Sequence, residues 1–200
     1  MRIIGRVSLQ DVHDALWRSR TRTEGSGPWT GPLLDTADAQ LGPDWWDVEL
    51  DGPEAAAIVL PWHAGEACRG DRLTLIGAGG LTVAAAAARL AAIETDYARE
   101  NRSCWSRIAT ARAEPLTRVI LATAPIDHEE YRGLAPGPHL YCLDGRHRLI
   151  GWALEGALAA GAIVPAHVVA ALGRSHSTGC ENAEREHREI EGTERRRIPP

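Results

Sequence analysis

Five consecutive residues, Asp144-Gly145-Arg146-His147-Arg148, carry the densest chemistry in this 200-residue chain. An apolar run, Leu140-Tyr141-Cys142-Leu143, precedes them, and an amphipathic run containing Leu149, Trp152 and Ala153 follows. That order predicts a strand, a glycine turn and a helix beginning near His147. The free N–H groups of a helix start, aligned with its dipole, attract an anion. Gly145 permits a tight bend and close approach of a ligand. Arg146, His147 and Arg148 add donors suited to phosphate oxygens, and Asp144 could hold a divalent cation or orient a donor. The same residues would equally serve a plain strand–turn–helix, with solvated arginines and Asp144 as a simple cap.

A base for proton transfer is sought upstream. Pro61-Trp62-His63-Ala64-Gly65-Glu66 follows an apolar segment and offers Glu66, with His63 as the competing candidate. Glu94, Asp96 and Glu100 read as the solvated face of a long helix. Gly77-Ala78-Gly79-Gly80 lacks both the spacing of a dinucleotide fingerprint and the lysine of a P-loop. His176, Cys180 and His187 have ligand chemistry but no recognised zinc spacing. Trp45, Trp46 and Trp62 are read as core or pocket wall.

Composition narrows the function classes. All 22 basic residues are Arg, because the chain contains no Lys. Schiff-base and lysine-clamp chemistry are therefore excluded, and cationic roles fall to Arg or His. A net charge of −5 without a long basic stripe argues against a nucleic-acid surface. The Arg195-Arg196-Arg197 block reads as a solvated end. No apolar run is long enough to span a membrane, and Met1 to Arg6 does not read as a signal peptide. A cytoplasmic location and free thiols at Cys68, Cys104, Cys142 and Cys180 are expected, since no C-x-x-C pair occurs.

The elements that must position the turn follow from patterning. Arg2 to Val7 reads as a strand, Ser8 as the cap of a helix to about Arg20, and residues 21–32 as a loop. Leu33 to Leu41 reads as a short helix and Trp45 to Leu50 as an exposed strand. Asp51-Gly52 reads as a hairpin turn into a strand at Ala55 to Leu60. Thr82 is expected to cap a long helix reaching about Arg112, broken near Asn101. Strands follow at Thr117–Ala122, Leu140–Leu143 and Pro165–Ala171, with a short helix at Asp127–Leu134. Together these predict an α+β domain with a small mixed sheet. Residues 1–54 are expected as an N-terminal elaboration, 55–172 as the binding domain and 173–200 as a charged tail.

The run Leu143-Asp144-Gly145-Arg146-His147-Arg148-Leu149 resembles the signature of the ParB/sulfiredoxin-like superfamily. The resemblance spans roughly residues 55–170 and is strongest at the turn. The ParB-like free serine kinases and related nucleotide-binding proteins have the most similar pattern. In that group the turn holds nucleotide phosphates and an upstream glutamate acts as base. The resemblance implies phosphate binding at Asp144, Gly145, Arg146, His147 and Arg148. It further implies catalytic roles for His147 and Glu66, Mg²⁺ at Asp144, and ATP or ADP as cofactor. Glu66 stands two residues out of the family's spacing. Arg146 occupies the place of the sulfiredoxin cysteine, so sulfinic acid reduction by that chemistry is excluded, and Cys142 reads as core. The expected activity is a nucleotide-dependent kinase acting on a hydroxyl of serine or a similar small molecule. Alternatives are a non-catalytic nucleotide-binding switch or an accessory protein of a specialised biosynthetic pathway. A homodimer is compatible with either.

Overall fold

The computed structural model describes residues 1–20, 30–62 and 80–170. His63, Glu66, Cys68, Cys180, residues 77–79 and the expected tail at 173–200 lie outside the described residues.

The chain opens with strand β1 (Arg2–Val7) and helix α1 (Leu9–Arg20). Ser8 caps α1 reciprocally: Asp11 N donates to Ser8 Oγ at 3.1 Å, and Ser8 N donates to Asp11 Oδ2 at 3.0 Å. This arrangement satisfies donors that a helix start leaves open. Helix α2 (Thr30–Leu41) follows, then β2 (Trp45–Asp51) and the short α3 (Gly52–Ala56). Helices α4 (Val83–Ala92), α5 (Glu94–Glu100) and α6 (Arg102–Arg112) come next. They lead into β3 (Val119–Ala122), a 3₁₀ turn (Glu129–Tyr131), β4 (Tyr141–Asp144), α7 (Arg146–Leu154) and β5 (Ile163–Val169).

The strands form one five-stranded sheet in the order β1-β2-β5-β3-β4. β3 runs parallel to β5, and the other neighbours are antiparallel. The architecture is therefore mixed α+β with a mixed sheet. Side chains that alternate across the strands divide the core in two. Trp45, Ile120, Ala122, Tyr141, Leu143 and Val169 pack with Val12, Leu16 and Leu34 from α1 and α2. Val48, Leu50, Leu121, Cys142, Val164 and Val168 pack instead with Ala86, Leu90, Ile108 and Trp152 from α4, α6 and α7.

Several local expectations are corrected. β2 is not an exposed strand: it lies between β1 and β5, with Trp45, Val48 and Leu50 buried. Asp51-Gly52 does not make a hairpin turn. Asp51 accepts from Glu54 N, and Glu54 reaches back to Asp51 N at 2.9 Å, so a capping box with Pro53 in the first turn starts α3. Gly52 is needed there, because a Cβ would lie 2.3 Å from the Ala159 carbonyl oxygen. The expected strand at Ala55–Leu60 reduces to bridges at Val59, antiparallel to Thr82 and parallel to Tyr141. The long helix is divided at Ile93 as well as at Asn101. The segment 1–54 supplies β1 and β2 to the same sheet as β3, β4 and β5. Cys142 is free and buried, whereas Cys104 is disulfide-bonded, which departs from the expectation of free thiols.

α7 is seated against α6 at Gly151. A Cβ there would approach the Ile108 carbonyl oxygen to 2.7 Å and Ala111 Cβ to 3.0 Å. Helix propensity alone would favour alanine by about 1 kcal/mol. The backbone collision outweighs that gain, because the neighbouring helix would have to shift. Gly151→Ala is expected to destabilise the protein by about 1–2 kcal/mol, read as a lower urea midpoint at unchanged slope.

Candidate functional site

The turn predicted to carry the chemistry sits where β4 hands over to α7. Gly145 caps α7 with φ 104° and ψ 10°, in the left-handed region. Only glycine adopts this conformation without strain, and a Cβ would also approach Val119 Cγ1 to 2.6 Å. Gly145 brings no side chain of its own to cap the first turn of α7. The leading N–H groups of a helix start are donors suited to an anion.

The two arginines leave the turn in different directions. Arg148 Nη2 donates to Asp144 Oδ2 at 2.8 Å. Its Nη1 donates to the Arg118 carbonyl at 2.7 Å and to Thr117 Oγ1 at 2.8 Å. Arg148 thus ties the end of β4 and the approach to β3 onto the start of α7. Arg146 Nη2 pairs with Glu130 Oε2 at 2.5 Å, and Nη1 donates to the Trp62 carbonyl at 3.1 Å. Both members of the Arg146–Glu130 pair are largely buried, with side-chain exposures of 18% and 11%. Burial opposes the charge on Arg146, yet the Glu130 carboxylate holds its pKa above the ordinary arginine value.

Trp62 extends this link. Its N donates to the Glu130 carbonyl at 2.6 Å, and its indole Nε1 donates to the Arg132 carbonyl at 2.9 Å. The segment ending at Trp62 also runs beside β4, with Val59 N donating to the Leu140 carbonyl and Cys142 N to the Val59 carbonyl. The described segment therefore ends, at Trp62, beside the turn. Glu66 and His63 themselves lie outside the described residues.

Asp144, Gly145, Arg146, His147 and Arg148 are all half-buried and contiguous at this corner. Arg146 and Arg148 are engaged by carboxylates of the chain, so they shape the turn and set its charge. His147 stands half-buried at the same corner, beside the first-turn N–H groups. Cys142 is a core thiol: burial pushes its pKa up to about 12, too high for a thiolate at neutral pH. Tyr131, whose hydroxyl donates to the Cys142 carbonyl at 2.6 Å, is likewise raised by burial.

The donors do not match a resident magnesium ion. Asp144 Oδ2 faces the Arg148 guanidinium, and the described residues contain no group of three or more candidate metal ligands. Mg²⁺ takes near-octahedral oxygen ligands and usually keeps substrate phosphates and water.

Sequence reasoning missed Glu130, Trp62, Thr117 and Arg118 as partners of the turn. Glu130 stood in view within His128-Glu129-Glu130-Tyr131, but only the fold shows that it faces Arg146. Its removal is expected to leave a buried guanidinium uncompensated, so Glu130→Ala should cost about 3 kcal/mol. The double variant Glu130→Ala/Arg146→Met should recover most of that loss. Chemical denaturation of the two variants and the wild type checks this, and equal stabilities would contradict a buried ion pair.

No curated protein and no solved structure matches the chain. A family model does match, over residues 1–187, and it is described as a family of unknown function (DUF6309). The chain belongs to the DUF6309 family.

Proposed function

We propose that this protein binds a nucleotide, with the phosphates at the amino end of α7, and uses it as a small-molecule kinase. The carrying observation is a helix start opened by a left-handed glycine, which lets the backbone bend tightly there and brings no side chain of its own over the first turn. Two arginines locked by Asp144 and Glu130 hold that start in place. Backbone N–H groups and His147 are then the phosphate ligands, with the helix dipole adding to their pull. Phosphoryl transfer needs mainly positioning and charge stabilisation, which such a turn supplies. Glu66 is the proposed base for the hydroxyl of serine or a similar metabolite. The resemblance of the Asp144–Arg148 run to the ParB/sulfiredoxin-like turn supports the same reading.

One observation favours a second reading, a non-catalytic nucleotide-binding switch. The two carboxylates described at the turn, Asp144 and Glu130, are both consumed by arginines. Neither is then available as a base, so the base must come from the upstream segment, Glu66 with His63 as the competing candidate.

Calorimetric titration with ATP, ADP and CTP, with and without Mg²⁺, tests the binding. We expect His147→Ala to weaken the preferred nucleotide by about tenfold, the loss of one charge-assisted contact. No binding by any of the three would reject the nucleotide reading. Incubation with ATP and an amino-acid panel then separates the two readings. A phospho-product abolished by Glu66→Gln, with nucleotide affinity retained, marks the kinase, whereas binding without product marks the switch.

A further inference from the structure

A second polar cluster lies away from the turn, on the sheet face that α1 and α2 cover. Asp47 of β2 and His167 of β5 stand opposite each other, and Ile120 of β3 is the next residue across. Arg118, just before β3, reaches both polar groups. Its Nη1 lies 3.0 Å from His167 Nε2 and 3.1 Å from Asp47 Oδ1.

This geometry fixes the histidine tautomer. A guanidinium has only donors, so His167 Nε2 must be the acceptor and the neutral ring carries its proton on Nδ1. Burial, with the Arg118 charge beside it, holds the pKa down at about 4, so the ring is neutral at physiological pH. His167 is only 2% exposed, and Nδ1 has no hydrogen-bond partner among the described residues. A buried N–H without an acceptor is costly, and each such group in a native protein calls for an explanation, a bound water, ion or ligand among them.

The surroundings describe that partner. Arg118 and Arg18 are cationic, while Asp47 and Asp11 are anionic, and all four act on His167. Their charges balance, so neither a polyphosphate nor a polycation is favoured. Gly5, opposite Asp47 on β1, leaves room on the β1 side of Asp47: a Cβ placed there meets no heavy atom within 4 Å. Arg118 and Asp47 remain partly open, with side-chain exposures of 35% and 24%.

We infer that His167, Asp47 and Arg118 form a binding site for a neutral small molecule bearing an amide or ureido group. Its carbonyl oxygen accepts from His167 Nδ1, and its N–H donates to the Asp47 carboxylate. The site does not rest on the nucleotide reading: it meets the α7 turn only through the Arg118 carbonyl, which accepts from Arg148, while the Arg118 side chain serves His167 and Asp47.

NMR of the histidine side chains tests this with acetamide as probe and acetate and inorganic phosphate as controls. Acetamide should move the His167 Nδ1–H resonance saturably, and the two anions should not. His167→Phe should abolish saturable acetamide binding. Asp47→Asn, at a partly exposed position, should weaken it by about fivefold, and it serves if His167→Phe does not fold. Absence of a saturable acetamide shift would overturn the inference. So would an equal response to acetate or phosphate, or a long-lived bound water at Nδ1 that acetamide does not displace.

Discussion

The left-handed conformation of Gly145 is the constraint on which the corner between β4 and α7 depends. With φ at 104°, the backbone leaves β4 and enters α7 within one residue. Arg146 and Arg148, both beyond the bend and two residues apart on α7, then point in different directions. Arg146 turns toward the 3₁₀ segment and Trp62, while Arg148 turns toward the strand leading into β3. A Cβ at the bend would press on Val119, the first residue of β3. The same glycine therefore sets the helix start, from which the two arginines diverge, and lets β3 approach.

The two arginines are joined to the chain in ways lysine could not reproduce. Arg148 serves a carboxylate, a hydroxyl and a carbonyl at once, using the separated donors of a planar guanidinium. An ammonium would offer three donors from a single point and could not span β4 and the approach to β3 together. In a chain without lysine, the cationic residues of the turn become structural connectors as well as sources of charge. Their pairing with Asp144 and Glu130 also lowers the net positive charge at the helix start. An anion bound there would be recognised chiefly by directed N–H groups.

The strand–turn–helix at Leu140–Trp152 was legible because hydrophobic pattern, glycine and helix signals all agree within one local run. The Ser8 and Thr82 caps were legible for the same reason, since capping depends on residues only three positions apart. Asp51-Gly52 misled because that dipeptide serves two local structures, and Glu54 three residues later decides between them. The depth of β2 was hidden because its neighbours are β1 and the distant β5. Alternation reports a face, whereas a place in the middle of a sheet depends on pairing across more than a hundred residues. Glu130 and Trp62 were hidden similarly: each meets Arg146 only through tertiary approach.

Arg118 links the two polar regions without belonging wholly to either. Its backbone carbonyl accepts from Arg148 at the turn, while its side chain engages His167 and Asp47. Strand β3 lies between β4 and β5, so a displacement at its start is felt on both sides. A packed sheet responds to such a displacement in discrete steps more readily than by smooth bending. Any coupling between the regions would consequently run through the position of residues 117–118. By linkage, a ligand that favours one placement of that segment at α7 would alter affinity beside His167 by the same factor in reverse. That reciprocity is a matter of thermodynamic linkage, and it holds whichever small molecules occupy the two places.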